Sequence, residues 1–328
     1  MGIDVYGIGN ALVDIQTGIE DALLDEIIAA KPPGAPAKIG KGNMHLVDSG
    51  AQRAILKHLD GLDLVTVSGG SACNTMIGLA QLGCDAAYCG KVADDKYGSF
   101  FAEDLRAAGV AYDVPFGKQG TGTCTVLVTP DAQRTMFTDL GISIELKAED
   151  LDLDAVAAAK WVYIEGYLWD APGPKAASER AMEHAKKNGV KVAYSYSDSF
   201  CVERALEDFR RFTKDFVDLV FCNEDEARAF AGRQDTEDAL KEIEKYGTGI
   251  AVTRGKEGSV LVYEGKRHDI APVRVTPVDT TGAGDLYASG VLAGLCGGLS
   301  AAEAGARGSK MAAHAISVRG ARIPASAL

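Results

Sequence analysis

The sequence predicts an α/β fold, a parallel sheet covered by helices on both faces, with a small second β-sheet set against it. Two observations carry this expectation. Strand-like apolar runs alternate with helical patterns along most of the 328 residues, the order that builds a parallel sheet under crossover helices. Two stretches break that alternation with β-rich sequence and no intervening helix. A hydrophobic content of 47% supplies a sizeable core at this length.

The first strand is DVYGIG (4–9). DLVTVSGG (63–70) and the helix SACNTMIGLAQLG form the next unit, and DAAYCGKV with YGSFFAEDLRAAG repeats it. AKWVYIEG with GPKAASERAMEHAKKNG, then VKVAYSYS, then FVDLVFC with NEDEARAFAG continue the pattern. TGIAVTRG and GSVLVYEG add strands, and two helices rich in small residues, 284–297 and 300–318, close the chain. The breaks are residues 10–20 with 37–48, and 111–138, where TGTCTVLVTPDAQRTMFTD reads as a hairpin turning at PDAQ. Such strands do not easily join a helix-covered parallel core. They form either a lid over one edge of it or a plain β-excursion.

Charge and composition exclude several classes. A net charge of −12 and a pI near 5 argue against nucleic acid or anionic membrane as partner. The N-terminus has no basic region and carries Asp4 inside its apolar run, so it reads as a strand and not a signal peptide. A soluble, cytoplasmic chain is expected, monomeric or homodimeric. The seven cysteines form no CxxC pair and suit reduced, buried thiols. The histidines form no HxxxH or HExxH pair and there is no GxSxG, which argues against a zinc site or Ser-His-Asp hydrolysis.

The most informative stretch is VDTTGAGDLYASG (278–290). It is neither a P-loop nor a dinucleotide fingerprint, since GxxxxGK[ST] and GxGxxG both fail here and at GAPAKIGKG and GIGNAL. TTGAGD nonetheless leads into a helix, so the amides of Gly282, Ala283 and Gly284 are free at a helix N-terminus that favours an anion. Asp285 in the same turn reads as a general base, taking the proton of a hydroxyl that attacks phosphorus. The alternative is a carboxylate that caps a glycine-rich helix.

VDTTGAGDLYASG resembles the C-terminal signature of the PfkB (ribokinase) carbohydrate kinase family, and GGSACNTMIGLAQLG (69–83) resembles its N-terminal signature. The resemblance implies a single ribokinase-like domain over residues 1–328, with a β-sheet lid built from the segments near 10–20, 37–48 and 111–138. It implies transfer of the ATP γ-phosphoryl group to a sugar-like hydroxyl, with Asp285 as base and the 282–284 amides as anion hole. Asp14, Gly69, Gly70 and Asn74 stand where the family holds acceptor hydroxyls. NEDE matches the family's N-x-x-E, giving Asn223 and Glu226 a part in ordering Mg²⁺ and phosphates through water; the same spacing is also a capping box. Thr253, Gly255 and Gly258 fall beside the nucleotide, with Ala312 as an adenine wall and His314 as a weaker match. Asp279 and Thr281 stand where many members bind K⁺.

Within the family the pattern is closest to adenosine kinases. GIGNALVDI adds Asn10 beside Asp14, and the hairpin places Arg134 over the transferring phosphate, unless it is a solvated turn arginine. Tyr167, Leu168, Trp169 and Phe200 then supply purine walls. Tyr167 replaces the usual Phe, Asp198 stands where some members carry a neutral residue, and LGISIEL departs from an alanine-rich stretch. Adenosine is thus the expected acceptor, a free sugar such as ribose or fructose the alternative, and a non-catalytic nucleotide-binding protein the remote one.

Overall fold

The computed structural model describes residues 2–131, 133–318 and 320–323; Ala132, within the PDAQ turn, lies outside them. The chain runs β1 (Val5–Ile8), β2 (Leu12–Gly18), α1 (Asp21–Ala29), β3 (Met44–Leu46), α2 (Ser49–His58), β4 (Val65–Gly69) and α3 (Ser71–Gln81). It continues with β5 (Ala86–Cys89), α4 (Lys96–Ala107) and the hairpin β6 (Gly122–Val128) and β7 (Arg134–Asp139). Next come α5 (Leu153–Ala158), β8 (Trp161–Glu165), α6 (Pro172–Lys187), β9 (Lys191–Ser195), α7 (Ser199–Arg204), α8 (Leu206–Asp215) and β10 (Leu219–Asn223). The last part is α9 (Glu224–Ala231), α10 (Thr236–Glu244), β11 (Gly249–Thr253), β12 (Ser259–Tyr263), β13 (Lys266–Ile270), α11 (Ala283–Cys296) and α12 (Ala301–Ile316).

Eight strands form the main sheet in the order β13-β12-β11-β10-β9-β8-β1-β5. From β11 to β5 every pairing is parallel, and β12 and β13 are antiparallel. Strands at this end of the sheet read as apolar runs because both faces are covered: every residue of β8, β1 and the terminal β5 is buried. β13 (KRHDI) lies at the edge, where charged side chains discourage further pairing. It was not expected from the sequence, which shows no apolar run there.

The second sheet has the order β3-β7-β6-β2-β4. β2 alternates, with Val13, Ile15 and Thr17 buried and Asp14 and Gln16 on the other face. Helices α1 and α2 cover one side of this sheet, joining Leu24, Ile27, Ala51 and Ile55 with Leu127 and Phe137 in a separate apolar cluster. Three expectations need correction. DLVTVSGG joins this sheet, antiparallel to β2 with Leu12 opposite Gly69, and not the parallel core. In the 37–48 segment only Met44–Leu46 is a strand. Residues 111–117 follow the main sheet through bridges from Ala111 to Ala87 and Gly117 to Ala93, so the hairpin part of the second sheet begins at Gly122.

The cysteines among the described residues are all free. No helix among those residues is long and apolar enough to cross a membrane.

Candidate active site

The carboxyl ends of β9, β10 and β11 deliver Ser195, Asn223 and Thr253 toward the N-terminus of α11, the end of a parallel sheet where side chains and loops can converge on a ligand. Gly282 caps α11 in the left-handed region, φ 73°, which suits glycine at this turn. Its turn leaves the Ala283 and Gly284 amides at the start of the helix. A cavity of about 320 Å³ opens there, lined by Gly282, Ala283, Gly284 and Asp285 together with Ser71, Asn223 and Glu226.

Asp285 Oδ1 accepts a hydrogen bond from Ser71 Oγ at 2.6 Å, and Oδ2 accepts one from Asn74 Nδ2 at 3.1 Å. Burial pushes its carboxyl up to about 6, while those two donors oppose the rise. A carboxylate poised there is ionised at neutral pH yet can take a proton. Asn74 Oδ1 is buried and has no partner among the described residues.

Asn223 and Glu226 form the capping box of α9. Asn223 Oδ1 accepts from Glu226 N at 2.9 Å, and Glu226 accepts from Asn223 N at 3.1 Å and Nδ2 at 2.6 Å. Both also face the 320 Å³ cavity, so the cap and the site share the same side chains. Burial raises Glu226 to about 7. Beyond Ala283 and Gly284 a groove of about 240 Å³ follows, lined by Thr253, Gly255, Gly258, Val273 and Ala312. His314 is exposed and does not line it, a correction to its expected place.

On the other side of Asp285, a cavity of about 470 Å³ is lined by Asp14, Gln16, Val67, Asn74 and Arg322. Asp14 on β2 faces Gly69 at the end of β4, where an added Cβ would come within 2.5 Å of the carboxylate. Gly70 has φ 98°, and a Cβ there would approach Asn10 O to 2.2 Å. The glycine pair therefore lets the β1–β2 turn and α3 close on each other. Burial raises Asp14 to about 6; Arg134 and Arg322 pull it down and Asp285 pushes it up.

The sequence reading missed Glu165. This residue is 1% exposed, and its carboxylate accepts the Asn10 amide at 2.7 Å and the Ala72 amide at 2.7 Å. It thus fastens the turn bearing Asn10 to the start of α3, and burial raises it to about 7. Its position at the end of an apolar run, WVYIE, was the available signal. Ser71 was overlooked inside a stretch already singled out.

Arg134 on β7 is largely buried, with Nη1 3.3 Å from Asp279 Oδ1 and Nη2 donating to Gln16 Oε1 at 3.2 Å. It is not a solvated turn residue. Asp279 Oδ1 also accepts from Thr281 N at 3.0 Å, and Oδ2 from Gly320 N at 2.7 Å. In this arrangement the Asp279 carboxylate is held by a guanidinium and two amides.

The aromatic walls are also corrected. Trp169 packs edge-on against Tyr194, Phe209 and Phe212 in the main core, and Leu168 is 1% exposed. Tyr167 packs against the same core, with its hydroxyl donating to Ser197 O at 3.3 Å. Phe200, the second residue of α7, is 67% exposed, and the N-cap of that helix is Asp198. None of the four lines the cavities beside Asp14 and Asp285. The residues are apolar enough for a purine, but Phe209 and Phe212 of helix α8 hold Trp169 in the core.

Among the described residues no group of three His, Cys, Asp or Glu side chains could hold a metal ion.

A family model described as pfkB family carbohydrate kinase matches residues 43–328. The crystal structure of adenosine kinase from Sinorhizobium meliloti is similar with a TM-score of 0.88 and 40% identity, covering 98% of this chain and 96% of that one. Adenosine kinase of Saccharomyces cerevisiae is 30% identical over 314 residues, 89% of this chain and 88% of that protein. Fructokinase of Escherichia coli is 29% identical over 241 residues, 71% of this chain and 78% of that protein.

Proposed function

The chain belongs to the pfkB family of carbohydrate kinases, ATP-using phosphotransferases with an alcohol group as acceptor, and from that premise we propose that it phosphorylates the ribose hydroxyl of adenosine, giving AMP and ADP. One observation carries the phosphoryl-transfer reading: Asp285, held by Ser71 and Asn74, stands between the Asp14 cavity and the groove that starts at Ala283 and Gly284. Adenosine is supported by the near full-length likeness to adenosine kinases, against 71% of this chain for the fructokinase.

In this reading Asp14, the unpartnered Asn74 Oδ1 and the Gly69–Gly70 turn hold acceptor hydroxyls. Asp285 takes the proton of the attacking hydroxyl as its oxygen bonds to the γ-phosphorus. The bond from that phosphorus to the bridging oxygen of ATP breaks, and ADP leaves. The Gly282–Gly284 amides and the positive end of α11 stabilise the transferring oxygens. Arg134 adds positive charge once the hairpin carries it off Asp279. Thr253, Gly255, Gly258 and Ala312 receive the nucleotide. Asn223 and Glu226, oxygen-bearing side chains that line the cavity, would hold Mg²⁺ through water, and the metal would supply charge neutralisation to the phosphates.

A free sugar is the second reading, favoured by the absence of Tyr167, Trp169 and Phe200 from the acceptor cavity. ATP consumption with Mg²⁺ across adenosine, inosine, guanosine, ribose and fructose separates the two. A kcat/KM for adenosine above that for every sugar supports the proposal; a preference for fructose or ribose overturns it.

A further inference from the structure

The C-terminal segment forms one wall of the acceptor cavity. Gly320, Ala321 and Arg322 line it with Asp14 and Asn74. Four separate parts of the fold tie this segment down. Gly320 N donates to Asp279 Oδ2 at 2.7 Å, Gln81 Nε2 at the end of α3 donates to Ile323 O at 2.7 Å, and Arg322 Nη1 donates to Asp104 Oδ2 on α4 at 2.7 Å. Arg322 Nη2 also donates to the carbonyl and hydroxyl oxygens of Ser68, the residue before Gly69. The guanidinium side chain is 19% exposed. Its anchor therefore reaches the strand end that must stay against Asp14.

Charge balance gives this contact a consequence. Asp14 lies near a second carboxylate, Asp285 on α11, and the cations that act on it are Arg134 on β7 and Arg322. Arg134 is bound to Asp279 and Gln16, and in the proposed reaction it leaves them for the transferring phosphate. Arg322 is fixed to Asp104 on α4 and to Ser68 on β4, the strand whose Val65 and Val67 line the cavity, so its anchors do not depend on Arg134. Two carboxylates at one desolvated site repel each other unless a fixed cation lies close by.

We propose that Arg322 is a positioning residue of the acceptor site, holding Ser68–Gly69 in place and keeping positive charge behind Asp14, so that the C-terminal segment helps to select and bind the acceptor. The inference rests on the reading that Asp14 holds an acceptor hydroxyl.

The test compares Arg322→Gln with Arg322→Lys, using whichever acceptor the substrate panel identifies. Arg322→Gln should raise the acceptor KM about tenfold, in line with one lost charge-assisted contact, with the KM for ATP unchanged. The acidic limb of kcat/KM should move to higher pH, because Asp14 loses a cation that favours its ionised form. Arg322→Lys should recover most of both effects. An unchanged acceptor KM, or equal rises in both KM values with a fixed acidic limb, overturns the inference. If Arg322→Gln does not fold, Arg322→Met keeps the apolar stem while removing the charge and the bonds to Ser68 and Asp104, and an unchanged acceptor KM there is equally fatal. Asp14→Ala run alongside separates the two levels: an unaltered acceptor KM removes the acceptor-site reading itself, whereas a large rise with a silent Arg322→Gln removes only the role of Arg322.

Discussion

Ser71 Oγ lies 2.6 Å from Asp285 Oδ1, joining the first turn of α3 to the first turn of α11 across 214 positions of sequence. The bond aims the carboxylate and favours its charged form against burial. Ser71→Ala removes a hydrogen bond to a charged group, an interaction worth about 1.5–3 kcal/mol. We predict a kcat lower by roughly tenfold or more and an acidic limb displaced to higher pH. A pH profile superimposable on that of the parent would exclude Ser71 from this role.

Asp285→Asn keeps the shape of the side chain and removes the base. Turnover should fall by about 10²–10⁴-fold, with acceptor and ATP KM values close to the parent. Steady-state kinetics decide this, and a kcat that survives the change would mean that another group takes the proton.

The two glycines ahead of α3 should fail differently. Gly69→Ala drives a methyl group to 2.5 Å from the Asp14 carboxylate, so the acceptor KM should rise while the KM for ATP holds. Gly70→Ala adds a side chain at φ 98° and 2.2 Å from Asn10 O, so it should lower Tm more than Gly69→Ala does. Equal Tm losses would contradict the distinction.

Stability should respond to pH through the buried carboxylates. Asp14 and Asp285 are raised from 3.8 to about 6, and Glu165 and Glu226 from 4.5 to about 7. Between these limits the folded chain binds protons that the unfolded chain has released. Their contribution is thus fully present below the unfolded values and is lost as pH rises through 6 to 7. The Tm of the ligand-free protein should fall from pH 5 to pH 7.5, and Glu165→Gln should flatten that fall. Differential scanning calorimetry across this range tests it; a Tm that climbs with pH would contradict the assignment.

Much of the site was legible because its parts are local. Gly282–Asp285 lie within one helical turn, and Asn223 and Glu226 within one capping box, so spacing alone brings each group together. Apolar runs with no polar alternation marked β1, β5 and β8 as strands buried on both faces. β13 escaped because an edge strand needs no apolar run, and β4 was assigned to the wrong sheet because five residues of strand sequence do not say which partner they will pair with. The aromatic residues misled for a related reason. A Trp offers the same apolar surface to a purine and to a core, and only packing against Phe209 and Phe212 chooses between them.

The sequence by itself determined the alternating α/β architecture, the anion-binding turn at the head of α11 and the family to which both belong, since each rests on residues close together along the chain. Tertiary structure alone decided that Glu165 fastens Asn10 to Ala72, that Arg134 rests on Asp279, and that Arg322 backs Asp14. Those pairs are 62 to 308 residues apart or more than one element removed. Their geometry is set by how two sheets close on each other and by which buried charges then require a partner, and no local pattern encodes that.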